Sequence, residues 1–201
     1  RCVIEEGGRS SLTCPLIAEG RPVGFLFFTA REVGVYRDLH PEIFRQIAAQ
    51  LSLVIERSRI FERVHRAANY DALTRLPNRA MFSRRLAEAL EARGEGDNLA
   101  VCYLDLDHFK NVNDTLGHPV GDRLLMSVAQ RLERCVGERG MVARLGGDEF
   151  AVIVSPLRSI ADAADLAAEA IEAVRPALRV VGHAVDSGVS VGGATRGPGR
   201  S

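Results

Sequence analysis

The sequence predicts an α/β fold of the α+β kind, a sheet flanked by helices, preceded by a small β-hairpin and tied to it by one long helix. Three observations carry this. Apolar and polar residues alternate on either side of a turn at 11–30, the period of a half-buried strand pair. From Phe44 onward apolar residues recur at alternating steps of three and four, the period of a packed helix seam. Beyond residue 70, short apolar runs rich in Val and Ile alternate with amphipathic stretches, which indicates strands and helices built around one sheet.

In the first region, Leu12, Cys14 and Leu16 alternate with polar neighbours, Glu19-Gly20-Arg21-Pro22 supplies turn chemistry, and 23–28 is an apolar run. A lone hairpin is too small to be stable, so it is expected to belong to a larger sheet whose other strands lie before Arg1. The helix begins near Pro41. Phe44, Ile47, Leu51, Val54, Ser58, Phe61, His65 and Ala68 follow the spacing 3, 4, 3, 4, 3, 4, 3, a heptad a/d seam suited to a parallel coiled-coil dimer over 44–68. Arg57 and Glu62 fall at g and e positions, Ser58 and His65 are polar a positions, and Ile43, Ala48 and Ile55 widen the apolar face early on. The alternative is a helix packed on its own domain. Asn69-Tyr70-Asp71 breaks the pattern, Pro77 forbids its continuation, and the domain boundary is placed near 70.

After it the expected order is helix (79–92), strand (99–104), a helical turn and loop (107–121), helix (122–136), strands (141–145 and 149–154), helix (159–174) and strands (179–185 and 188–193), with a loop-like tail at 196–201.

Composition bounds the function. The 201 residues are 46% apolar and 26% charged with a formal net charge of zero, which is ordinary globular composition. It offers no electrostatic case for nucleic acid or a membrane surface. No apolar run approaches the roughly 18 residues that span a bilayer. Cys2, Cys14, Cys102 and Cys135 have no metal-ligand spacing, and Cys102 and Cys135 sit in apolar patterns that suit buried free thiols and a reducing compartment. The chain opens on Arg1 rather than Met, which points to a fragment. A cytoplasmic location is expected, with an upstream membrane anchor left open. There are 25 Arg and a single Lys, Lys110; a compact ammonium differs from a guanidinium, so that one residue merits attention.

The chemistry lies at two acidic strand ends. The apolar run Val101-Cys102-Tyr103-Leu104 ends in Asp105-Leu106-Asp107, two carboxylates on one face of a strand. That suits a hard cation with oxygen ligands, or simply a solvated strand end. The run Val142-Ala143-Arg144-Leu145 meets Phe150-Ala151-Val152-Ile153-Val154 across Gly146-Gly147-Asp148-Glu149, a tight-hairpin signal in which glycine lets backbone approach a ligand. Alone it would be a plain hairpin tip. With Asp105 and Asp107 it becomes two acidic strand ends that one sheet can bring side by side, as in metal-dependent phosphoryl transfer. Between them, Lys110 can place charge on a polyphosphate, and Asn113 and Asp122 offer an amide and a carboxylate that suit the guanine edge. Asp122 could instead be the N-cap of the helix that follows.

Residues 71–195 resemble the GGDEF diguanylate cyclases. The resemblance rests on Asp71-x-Leu73-Thr74-x-Leu76-Pro77-Asn78-Arg79, Asp105-Leu106-Asp107-His108-Phe109-Lys110-x-x-Asn113-Asp114, Gly117-His118-x-x-Gly121-Asp122, Gly146-Gly147-Asp148-Glu149-Phe150 and Val189-Ser190-Val191-Gly192. It implies a palm-like mixed sheet flanked by helices, as in nucleotidyl cyclases, and the condensation of two GTP into cyclic di-GMP plus pyrophosphate. It implies Mg²⁺, with Mn²⁺ as an alternative, held by Asp105, Asp148 and the Leu106 carbonyl, with Glu149 sharing a second ion. Asp148 or Glu149 would help deprotonate the ribose 3′-OH, and Lys110 would steady the transition state. Asn113 and Asp122 would read guanine, and Phe109, Lys110, Gly146 and Gly147 would line the phosphates. Each domain would hold one GTP, so a homodimer through 44–68 would bring two half-sites together.

Residues 1–60 resemble, more weakly, the C-terminal part of a GAF sensor domain, through Arg9-Ser10-Ser11-Leu12-x-x-Pro15-Leu16-Ile17-x-x-Gly20-Arg21-Pro22-Val23-Gly24 and Ile47-Ala48-Ala49-Gln50-Leu51. The implied organisation is a GAF remnant at 1–39, a signalling helix at 40–69 and a C-terminally truncated GGDEF domain at 70–201. Where the family carries its product-inhibition motif Arg-x-x-Asp, Gly137-Glu138-Arg139-Gly140 stands, and no feedback site is expected. Two rival functions are a non-catalytic regulator that binds GTP or cyclic di-GMP, and one half of a bifunctional cyclase/phosphodiesterase.

Overall fold

Residues 9–37, 40–92, 98–157, 159–175, 179–180, 183–184 and 189–196 are described by the structure, a computed structural model. The chain divides into two compact units, Arg1–His65 and Arg66–Ser201.

In the first unit, β1 (Ser10–Ala18) and β2 (Arg21–Ala30) form the expected antiparallel hairpin. Its two-residue turn is Glu19-Gly20, with φ of 51° and 72°, the left-handed pair that matches strand twist. Pleating turns Cys14 and Ala18 inward, where both are buried, and leaves Phe25 and Phe27 on the outer face at 57% and 61% exposure. The inner face meets α1 (His40–Asn69). Phe28 stacks on Phe44 with ring centroids 3.9 Å apart, Ala48 and Ser52 are buried, and the Ile17 amide donates to Ser52 Oγ at 3.0 Å. The first seam residue, Phe44, is thus used by the hairpin, and from Ile47 onward the seam runs along a different stripe. Ile47, Leu51, Val54 and Phe61 lie open, Phe61 at 71%.

The second unit is a four-stranded sheet in the order β4-β5-β3-β8, formed by β3 (Asn98–Leu106), β4 (Gly140–Gly146), β5 (Glu149–Leu157) and β8 (Val189–Arg196). The fold class is the expected α+β one, but all three ladders are antiparallel. β3 and β4 run the same way yet never pair, because β5 folds back between them. Helix α2 (Arg79–Glu91) covers one face, over Leu99, Val101, Ala143, Ala151 and Ile153. Helices α3 (Phe109–Leu116), α4 (His118–Val136) and α5 (Ile160–Val174) close the larger core on the other face, where Leu124, Leu132, Phe150 and Val174 are fully buried. Ser159 caps α5 in a reciprocal box with Asp162.

Several expectations need correction. The segment 107–121 is more helical than the expected helical turn and loop: α3 fills 109–116, and α4 starts at His118 because Pro119 suits a first helical turn. Gly117, not Asp122, is therefore the N-cap. The strand at 179–185 is two short antiparallel strands, β6 (Arg179–Val180) and β7 (His183–Ala184), since alternation alone does not separate one strand from a hairpin. Among the described cysteines, Cys14 and Cys102 are buried and free, whereas Cys135 is only partly buried; burial pushes the Cys102 thiol up. Cys2 lies outside the described residues, as does the tail beyond Arg196. No described helix is long and apolar enough to cross a membrane.

Candidate active site

The centre of the site is set by strand register. Asp105, next to the end of β3, stands directly opposite Glu149, the first residue of β5. The β4–β5 turn is Gly147-Asp148, between Gly146 at the end of β4 and Glu149 at the start of β5. Gly146 and Gly147 have φ of 144° and 54°, conformations that favour glycine. On β3, odd-numbered residues point to the face covered by α2, and Asp105 shares that face with Val101 and Tyr103. Burial, and then the neighbouring charges of Asp148, Glu149 and Asp107, push the Asp105 carboxyl above the ordinary aspartate range. The fold thus gathers mutually repelling oxygens at one strand end.

Such a cluster suits a divalent cation whose shell is completed by phosphate and water. Among the described residues no three Asp, Glu, His or Cys side chains are set to hold a metal by themselves. Leu106 is buried by its side chain, so only its backbone carbonyl could serve as a ligand. Glu149 accepts a hydrogen bond through Oε2 from Arg79 Nη2 at 2.9 Å.

The remaining expected residues follow β3 without a break. His108 at φ 60° turns the chain into α3. The Phe109 side chain is buried in the core, so its share in a phosphate site is its backbone. Lys110 is exposed on the first turn of α3. Asn113 is half-buried and Asp122 exposed on α4. The two helices touch at Gly121, where a β-carbon would lie 2.0 Å from Asn113 Oδ1 and 3.2 Å from Phe109 Cζ. This contact brings Asn113 beside the residue that precedes Asp122.

Two arginines without an assigned role prove to hold the hairpin. Arg144 donates through Nε and Nη2 to the Gly147 carbonyl, at 3.0 and 2.7 Å, and through Nη1 to Asp71 Oδ1 at 2.9 Å. The same Asp71 oxygen accepts from the amide and the hydroxyl of Thr74. Burial works against the Asp71 charge, but the Thr74 and Arg144 hydrogen bonds outweigh it and hold the carboxyl below its usual range. Arg79 bonds the Leu145 carbonyl at 3.1 Å as well as Glu149. Their only signal in the sequence is the run Asp71 to Arg79 and the Arg before Leu145-Gly146-Gly147, which name the partners but not the contacts.

The family model described as "Diguanylate cyclase, GGDEF domain" matches residues 68–200. The chain belongs to that family. Within it, the GGDEF region is 44% identical over 127 residues to the diguanylate cyclase TpbB of Pseudomonas aeruginosa, covering 62% of this chain and 29% of that protein. It is 40% identical over 126 residues to the bifunctional diguanylate cyclase/cyclic di-GMP phosphodiesterase MucR of the same organism, covering 62% of this chain and 18% of MucR. The chain therefore spans less than a third of either relative. Among solved structures, the coiled coil and GGDEF domain of DgcB from Caulobacter crescentus, in complex with c-di-GMP, superposes with a TM-score of 0.67 at 32% identity, covering 80% of this chain and 86% of that one. Diguanylate cyclases use divalent metal ions, in keeping with the oxygen cluster of the GGDEF hairpin.

Proposed function

We propose that this protein is a diguanylate cyclase that condenses two GTP into cyclic di-GMP with release of two pyrophosphates. The observation that carries the reading is the in-register pairing of Asp105 with Glu149 beside the Gly147-Asp148 turn, in a chain of this family. Asn113 and Asp122 receive the guanine edge of GTP, and Lys110 with the backbone of Phe109, Gly146 and Gly147 holds its phosphates. Asp105, Asp148 and the Leu106 carbonyl hold Mg²⁺, with Mn²⁺ as an alternative, and Glu149 shares a second ion. When bound, the cation neutralises triphosphate charge and makes the ribose hydroxyl more acidic. The 3′-oxygen attacks the α-phosphorus of the GTP held by a second copy, its proton passes to Asp148 or Glu149, and pyrophosphate leaves. A second such step closes the ring.

The reaction needs two domains face to face. The open stripe Ile47, Leu51, Val54 and Phe61 supports a homodimer through 44–68, and the hairpin packed on α1 is consistent with the end of a GAF sensor domain that controls the cyclase. The likeness to MucR favours one second reading, in which a phosphodiesterase module accompanies the domain in the whole protein.

Incubation of the dimeric protein with GTP and Mg²⁺, with cyclic di-GMP and pyrophosphate both quantified, tests the proposal. Asp148→Ala is expected to lower turnover by about 100-fold or more. Equal product from that variant, or none from the parent, sinks the reading.

A further inference from the structure

We infer that Arg79 is a positioning residue that fixes Glu149 in the orientation in which it serves the cation site, an inference that rests on the cyclase reading above. Arg79 is the first residue of α2. Its backbone is held in place because Asn78 caps the helix, accepting from the Met81 amide at 3.0 Å, while the Arg144 amide donates to the Pro77 carbonyl at 2.9 Å. From that base the guanidinium reaches two acceptors at once, the Leu145 carbonyl and the Glu149 carboxylate. One lies before the Gly146-Gly147-Asp148 turn and the other after it. A single planar fork therefore spans the neck of the hairpin.

This pair adds little to stability. Its side chains are 64% and 50% exposed, and ion pairs so exposed are weak. What two-point attachment supplies is direction. Glu149 faces Asp105 across the ladder, and the two carboxylates repel; without a tether Glu149 would swing away into solvent. Arg79 engages one carboxylate oxygen, Oε2, and the carboxylate has a second to offer. Hydrogen-bonded partners of ligating carboxylates set the orientation of the ligand and commonly change metal affinity or activity by about 10–100-fold. Lysine keeps the charge but has no fork, so Arg79→Lys separates orientation from electrostatics.

The test uses the whole chain, its Arg79→Lys and Arg79→Gln variants, and Mn²⁺ titrated in the presence of the α,β-methylene analogue of GTP, with free Mn²⁺ read by electron paramagnetic resonance. Both variants are expected to bind Mn²⁺ about 10–100-fold more weakly. With GTP as substrate, kcat should fall while KM stays near that of the parent, a split that loss of stability alone does not produce. Parent-like Mn²⁺ binding by Arg79→Lys would show that charge alone suffices and overturn the inference. Tighter Mn²⁺ binding by Arg79→Gln would overturn it as well, because Arg79 would then be a competitor of the ion. A parent that binds Mn²⁺ through Arg79-dependent geometry yet makes no cyclic di-GMP would support the positioning role and defeat the cyclase reading. An active parent with indifferent variants would do the reverse.

Discussion

A β-carbon at Gly121 would lie 2.0 Å from Asn113 Oδ1, far inside any tolerable contact. The oxygen belongs to a short side chain, so relief comes by turning the Asn113 amide out of place. On the role proposed for Asn113, Gly121→Ala is therefore expected to disturb guanine binding before it disturbs the fold. The loss of a good hydrogen bond, on the order of 1.4 kcal/mol, corresponds to a roughly tenfold rise in KM for GTP. Steady-state kinetics with Asn113→Ala as the reference checks this, and an unchanged KM would detach Asn113 from the base. The sequence exposes Asn113 and Asp122, because an amide and a carboxylate suit guanine, and Gly121 only as the motif position before Asp122. It does not expose the helix-on-helix contact that makes Gly121 necessary, since nothing in a one-dimensional pattern says which turns of α3 and α4 meet. Arg79 and Arg144 stay unassigned for the same reason: among 25 arginines, only folding distinguishes the two that grip the turn.

Loops and strands meet at Asp71. Its carboxylate joins the segment before α2 to β4 through an ion pair whose side chains are only 23% and 12% exposed, so it is worth more than the surface pairs. Asp71→Asn keeps an acceptor oxygen but removes the charge that pairs with the Arg144 guanidinium, at a cost of about 2 kcal/mol. The sign of the pH dependence follows from the direction of the shift. The carboxyl is held below its unfolded value, so its contribution is complete above the ordinary aspartate range, about pH 4. It fades as pH falls through the lower folded value. Thermal melts of parent and variant should thus differ at pH 7 and converge in strong acid; a constant gap across that window would contradict the assignment. Strands and long helices were readable because their periods are strong, as at 44–68 or 159–174. The first turn of α4 was not, because Pro119 reads equally well as a loop residue and as a helix start.

At the scale of the whole molecule, α1 spends one stripe on the hairpin and leaves a second stripe of Ile47, Leu51, Val54 and Phe61 open. The heptad spacing is visible in the sequence, but the division of labour between the two stripes is not. Leu51→Asp sits on the open stripe, away from Ala48 and Ser52. For the homodimer proposed above, it should convert dimer to monomer in light scattering and depress cyclic di-GMP formation, with activity returning only at high protein concentration, because the helix would there supply local concentration rather than chemistry. An active monomer would separate the seam from catalysis. The strand pairing beneath the site has a consequence of another sort. A slip of one residue exchanges the two faces of a strand. On β3 that would drive Asp105 into the layer now filled by Leu104 and Leu106, both buried, where an unpaired carboxylate is expensive. The acid proposed to hold the cation also proofreads the sheet: a mispaired chain is not a silent, stable impostor but one that the buried charge unmakes.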